Sequence, residues 1–208
     1  MDSRGAPACD RFMLWVDGVG AYLLATGDDV FLGQASGQGG ADIPILADIS
    51  GRHACIRRDE GDYLMEATGN VQLDGRVVRR FAALRDGSRV ELRQTDVAHG
   101  VRLLFRQPHR LSATARLDFL SRHRTQPPAD SVLLWADSCV LGPKPESHVV
   151  CRDWPQEVIL YRHGSGFYCS TRGSFLVDGK ACHDRGRLTP RSRVSGEGFS
   201  FCLEALDE

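Results

Sequence analysis

Ala54-Cys55-Ile56, the turn Glu60-Gly61-Asp62, then Tyr63-Leu64-Met65-Glu66, then Gly69-Asn70-Val71-Gln72-Leu73-Asp74-Gly75: here short apolar or alternating runs are cut by turn residues at intervals too small for helices. Side chains two apart in a strand share a face, so Tyr63 with Met65, and Val71 with Leu73, can bury one side of a sheet while their neighbours meet water. The rhythm extends outward to Phe12–Val16, Ala21–Leu24, Val30–Leu32, Arg89–Leu92 and Val101–Phe105. Between these runs stand Asp17-Gly18, Thr26-Gly27-Asp28, Arg85-Asp86-Gly87 and His99-Gly100. Short strands with turns at this spacing predict an all-β antiparallel sandwich.

The second half of the chain repeats the first. Leu73-Asp74-Gly75 returns as Val177-Asp178-Gly179, Leu84 as Leu188, and Ser88-Arg89-Val90 as Ser192-Arg193-Val194, each displaced by 104 residues (179 less 75). Gly61-Asp62-Tyr63 returns as Gly166-Phe167-Tyr168 at 105, and Phe31-Leu32-Gly33 as Val140-Leu141-Gly142 at 109. Loop-length changes account for the drift. Two β-sandwich domains in tandem are expected, at 10–107 and 131–207, joined by a linker over 108–130. Pro108, Pro127 and Pro128 mark that linker, as do Arg110, Arg116, Arg122 and Arg124 against the lone acid Asp118. Within it Leu111, Ala115 and Phe119 are four apart with Ser112 as a cap, which predicts a short amphipathic helix.

With 42% hydrophobic and 25% charged residues, the 208-residue chain has the composition of a folded globular protein, and its 22 glycines suit many turns. A formal charge of -1, from 26 basic and 27 acidic residues, gives no global field for nucleic acid or an anionic membrane, so any phosphate recognition must be local. No apolar run is long enough to span a bilayer, and Met1-Asp2-Ser3-Arg4-Gly5 lacks the apolar core of a signal peptide; a cytoplasmic address is expected. The seven cysteines are scattered with no Cys-x-x-Cys pair, which predicts buried reduced thiols. A zinc set drawn from His148, Cys151, Cys169, Cys182 and His183 is disfavoured, because strand positions three apart, such as His148 and Cys151, face opposite ways. No cofactor is expected. Ser50 and His53 are close in sequence, but no nucleophile elbow, acid/base pair or Walker loop surrounds them. Ser36-Gly37-Gln38-Gly39-Gly40 lacks the lysine and helix of a phosphate loop and is expected to be a flexible connection.

Taken in order, the pieces of the first repeat resemble the forkhead-associated (FHA, SMAD/FHA-type) family. They are Phe31-Leu32-Gly33-Gln34, Ala41-Asp42-Ile43, Asp48-Ile49-Ser50-Gly51-Arg52-His53-Ala54, Gly61-Asp62-Tyr63-Leu64, Gly69-Asn70-Val71-Gln72-Leu73-Asp74-Gly75 and Leu84-Arg85-Asp86-Gly87. The resemblance implies β-sandwich domains that bind phosphothreonine peptides through loops at one end, without catalysis. It implies a site at Gln34, Ser50, Arg52, Thr68, Gly69 and Asn70, with Gly33, His53 and Gly75 as structural motif positions. Ser50 matches the family's phosphate-binding serine and His53 its bracing histidine. The implied partner is a protein or phosphoprotein, such as the substrate of a Ser/Thr kinase.

The chain departs from the family at telling places. Gln34 stands where an arginine would clamp phosphate, Gly51 replaces the second motif arginine, and Gly69-Asn70 inverts an Asn-Gly pair. Arg52 would share a face with Ser50 in an extended segment and could supply the missing charge. Asn70 beside Gly69 also suits a left-handed turn position. In the second repeat the Ser-x-x-His stretch maps onto Pro155-Gln156-Glu157-Val158, and Gln34 onto Pro143, so that half is expected to be degenerate. Two functions are therefore open: phosphothreonine-peptide binding through the first repeat, and phosphate-independent docking or scaffolding.

Overall fold

A computed structural model describes residues 11–35, 40–94, 100–109, 111–164 and 166–206. The glycine-rich connection lies, over 36–39, outside the described residues, as do the expected boundary positions 10 and 207. The first half holds β1 (Arg11–Val16), β2 (Gly20–Ala25), β3 (Asp29–Gln34), β4 (Ile43–Ile45), β5 (Ala54–Asp59), β6 (Asp62–Ala67), β7 (Asn70–Leu73), β8 (Arg76–Val77), β9 (Phe81–Leu84), β10 (Arg89–Arg93) and β11 (Val101–Arg106). There follow β12 (Ala115–Phe119), β13 (Ser131–Leu134), β14 (Ser138–Gly142), β15 (Val149–Val150), β16 (Val158–His163), β17 (Gly166–Val177), β18 (Lys180–Leu188), β19 (Arg193–Gly196) and β20 (Phe199–Ala205). The described chain is all-β, and no helix in it is long and apolar enough to cross a membrane.

The paired turns of the two halves match in their individual hydrogen bonds. Leu73 of β7 faces Val90 of β10, and Val177 of β17 faces Val194 of β19. Asp74 and Asp178 take left-handed φ values of 50° and 51°, each before a glycine, and each carboxylate accepts the N–H of Arg89 or Arg193 at 2.8 Å. Ser88 and Ser192 Oγ likewise accept the N–H of Arg85 and Thr189. The same turn chemistry builds the same hairpin twice.

The strand order shows how the copies meet. One sheet runs β4-β3-β5-β6-β9; the other has 15 strands, in the order β15-β14-β16-β17-β19-β20-β1-β2-β13-β12-β11-β10-β7-β8, with β18 on β17. The last strand of the first repeat, β11, pairs with β12, while the last strand of the second, β20, pairs with β1. Each repeat thus closes on the opening hairpin of the other. In the middle β2 and β13 run parallel, Leu23 beside Val132 and Leu24 beside Leu133, residues 109 apart (132 less 23).

The wall made by β1, β2 and β13 is buried on both faces, apart from the exposed Trp15 of β1. Met13, Leu23, Ala25, Val132 and Leu134 point into a first core with Ile43, Ile56, Met65, Leu92, Leu103 and Phe105. Phe12, Leu14, Tyr22, Leu24, Leu133 and Trp135 point into a second with Cys139, Leu141, Leu160, Val194 and Phe201. That is why β2 and β13 read as near-continuous apolar runs, Ala21-Tyr22-Leu23-Leu24-Ala25 and Val132-Leu133-Leu134-Trp135: a strand covered on both sides has no polar face to show.

The helix expected around Leu111, Ala115 and Phe119 is corrected. Leu111 is 91% exposed, and Ala115–Phe119 is β12, held between β11 and β13. Ala115 and Leu117 alternate into the first core while Arg116 and Asp118 face away, a period of two that serves the open edge of β11 better than a helix could. The segment expected to be a linker is thus part of the sheet for those residues.

His148, weighed in the sequence as a metal ligand, clips the two halves. It is fully buried; Nδ1 accepts the N–H of Val140 at 2.9 Å, and Nε2 lies 3.2 Å from the Thr114 carbonyl, to which it donates. Burial first, then the neighbouring His109 and Arg116, pushes its pKa from 6.5 down to about 4. The unfolded imidazole binds its proton near pH 6.5 and the folded one only near 4, so the stabilisation is complete above pH 6.5 and is lost as pH falls toward 4. A loss of about 3 kcal/mol is expected across that window. Urea midpoints at pH 7 and pH 4.5 measure it; His148→Asn should lower stability at pH 7 and flatten the slope, and an unchanged slope would remove His148 as its source. Cys55, Cys139, Cys151 and Cys169 are buried free thiols whose ionisation burial pushes up, to about 11 for Cys55 and about 12 for Cys151 and Cys169.

Candidate functional site

At one end of the first sandwich the chain leaves β3 at Gln34, leaves β4 for the loop 46–53, and turns from β6 to β7 through Thr68 and Gly69. Four hydrogen bonds fix these loops. The Gln34 N–H donates to the Ser50 carbonyl at 3.0 Å, the His53 N–H to Leu32 at 2.8 Å, and the Thr68 and Gly69 N–H groups both to the His53 carbonyl, at 3.1 and 2.7 Å. Gly33 lies directly under this crossing: a Cβ there would sit 1.9 Å from the Gly51 carbonyl oxygen.

His53 is the brace. It is 1% exposed, its Nδ1 accepts the Ser50 N–H at 3.2 Å, and its Nε2, which therefore carries the proton, donates to the Asn70 carbonyl at 3.1 Å. Gly69 lies against the ring, where a Cβ would meet Cε1 at 2.4 Å. One imidazole thereby sets the spacing between the Ser50 loop and the start of β7. The Ser50, Thr68, Asn70 and Gln34 side chains are exposed, and none of them has a hydrogen-bond partner among the described residues.

Arg52, expected to share a face with Ser50, makes two contacts of its own. Its Nε–H donates to the Gly40 carbonyl at 2.7 Å, and its guanidinium lies 4.3 Å from the centre of the Phe31 ring, so the side chain is held along the β3 side of the rim while remaining exposed. Asn70 opens β7 without the left-handed backbone expected of it; that conformation falls on Asp74 and Gly75, at the far end of β7 from the rim. The structure therefore gathers Gly33, Gln34, Ser50, Arg52, His53, Thr68, Gly69 and Asn70 at one end and leaves Gly75 out. It adds Arg80, which the sequence did not single out: its carbonyl accepts the Ala67 N–H, and its guanidinium sits 4.9 Å over the exposed Phe81. The only sequence signal was the pair Arg79-Arg80 ahead of a strand.

The corresponding corner of the second sandwich carries an acidic side chain. A Cβ on Gly142 would meet Cγ of Glu157 at 2.8 Å, and Glu157 is ion-paired with Lys144 at 3.0 Å. The carboxylate, neutralised by Lys144, stands at the segment that corresponds to the serine loop of the first repeat.

Fold and site together define an all-β protein of two cores, carrying on one end a braced rim of polar side chains. No protein-family model and no curated protein matches the chain. A solved structure described as Rv0020c_FHA matches at 21% identity, covering 43% of this chain and 90% of its own, with a TM-score of 0.28.

Proposed function

We propose that this chain is a non-catalytic protein-interaction module that docks a peptide segment across the rim at Gln34, Ser50, Arg52, Thr68, Gly69 and Asn70. The observation that carries this is His53: a buried imidazole spends both nitrogens on holding two loops at a fixed distance, while the hydroxyls and amides above it are left unpaired and facing water. Such a rim is pre-organised for a ligand, which lowers the cost of ordering it on binding. The resemblance to FHA domains supports a phosphothreonine in the ligand, with the Ser50 hydroxyl donating to phosphate and the exposed guanidinium of Arg52 in the same loop.

Phosphate-independent docking is the second function, favoured by two observations: Gln34 is neutral at the position of the family's arginine, and Arg52 is already engaged by Gly40 and Phe31. Titration of the full chain with matched phosphothreonine and unphosphorylated peptides separates the two. A preference above about threefold, roughly 0.6 kcal/mol, supports phosphate recognition, and Ser50→Ala should then abolish it. Gln34→Arg places a cation at an exposed rim position and is expected to raise phosphopeptide affinity about tenfold. A rise equal for both peptides would count against a phosphate site.

A further inference from the structure

A second recess lies on a different surface, the outer face of β10, β11 and the segment after β12. It has a volume of about 960 Å³ and is lined by Glu91, Arg93, Arg102, Leu120, Arg122 and His123 among others. Its charge is one-sided. Arg93 Nε pairs with Glu91 at 2.9 Å, which leaves Arg102 and Arg122, both exposed, without an acidic partner among the described residues. Burial lowers the pKa of His123, so the positive charge is that of the arginines. Between them Leu120 is 43% exposed, beside a partly buried Phe119.

The walls are fixed. The Leu120 N–H donates to the Arg102 carbonyl at 2.8 Å, the Arg102 N–H to Ser121 Oγ at 3.1 Å, and Ser121 Oγ lies 2.9 Å from His123 Nδ1. Further on, the Arg124 carbonyl and the Gln126 N–H bond to Leu46 and Pro44 around β4, tying the segment to the other sheet. A rigid groove with two free guanidinium groups and an exposed leucine, on a chain of net charge -1, is a local positive site with an apolar floor.

We propose that this groove is a docking site, separate from the Ser50 rim, for an acidic peptide segment of a partner protein that carries one apolar side chain. Carboxylates of the segment meet Arg102 and Arg122, and the apolar side chain covers Leu120 and the edge of Phe119. A nucleic-acid strand fits less well: the two rings in the lining, Phe119 and His123, are both partly buried, and the Glu91 carboxylate in the lining opposes a phosphate backbone.

The test is fluorescence anisotropy of the full chain with a labelled peptide of Glu and Asp around one Leu. Arg102→Glu combined with Arg122→Glu is expected to weaken binding at least tenfold, and Leu120→Ser about threefold, with binding falling as salt is raised. Ser50→Ala should leave it unchanged, which separates this site from the rim. Absence of binding by the unaltered chain overturns the proposal. So does undiminished binding in the double variant, or in Arg102→Gln with Arg122→Gln if charge reversal alters the melting curve. Tighter binding of a single-stranded oligonucleotide, lost in the same variants, overturns the choice of partner.

Discussion

Expressed without the rest of the chain, residues 10–107 are expected to give no cooperative unfolding transition. Cutting there removes β12 and β13, and with them Ala115, Leu117, Val132 and Leu134 from the first core. It leaves β11 as an open edge. It also strips the cover from the second face of β1 and β2, exposing Phe12, Leu14, Val16, Tyr22 and Leu24. At roughly 1.5–3 kcal/mol for each large apolar side chain, that exposure costs on the order of 10 kcal/mol, comparable to the whole stability of an ordinary domain. Urea titration followed by circular dichroism reads the result, and a transition at the midpoint of the full chain would show that the shared wall is dispensable. Co-expression with residues 108–208 should restore folding, because the cut falls in a connection outside the strands while every β-ladder can re-form.

Gly33→Ala is expected to destabilise the protein by about 3 kcal/mol or more, lowering the melting temperature by roughly 6–12 °C. The added Cβ would meet the Gly51 oxygen at 1.9 Å, the Gly51 carbon at 2.4 Å and the Ser50 oxygen at 2.8 Å. All three are backbone atoms, so no flexible side chain can move aside. The loop must lift, breaking the bonds from Gln34 to Ser50 and from His53 to Leu32, each worth about 1 kcal/mol. Gly51→Ala is the control: nothing lies within 4 Å of its added Cβ, and the melting temperature should stay within the small range of a neutral surface change. Peptide binding at the rim should fall in the first variant and not in the second. Equal melting temperatures would mean that the close approach at Gly33 is not structural.

How far the residues alone could lead is clearest at particular positions. The Asp-Gly turns at 74–75 and 178–179 were legible because their backbone demands those residue types, whatever packs around them. Ser50 and His53 could be paired from sequence because residues three apart in one loop are neighbours. Arg80 could not, since only the pairing of β6 with β9 brings it to the rim. Arg52 was expected to face a ligand; where it lies was set by the Phe31 ring and the Gly40 carbonyl, which belong to another strand and another loop.

The sequence by itself determined the class of the protein, its repeat and the turns of its strands, because alternation, turn chemistry and a displacement of 104 residues are local properties of the chain. Only the tertiary structure decided which hairpin closes which sandwich. Residues 111–119 carry a helical spacing of Leu111, Ala115 and Phe119, and 115–119 also a strand's alternation; the open edge of β11 selects the strand. The apolar runs of β2 and β13 announce burial on both faces without naming the partner. The exchange follows from long-range pairing, β20 on β1 and β2 beside β13, between residues that share no local signal. Edge hydrogen bonds and buried area favour it only once both repeats are in place.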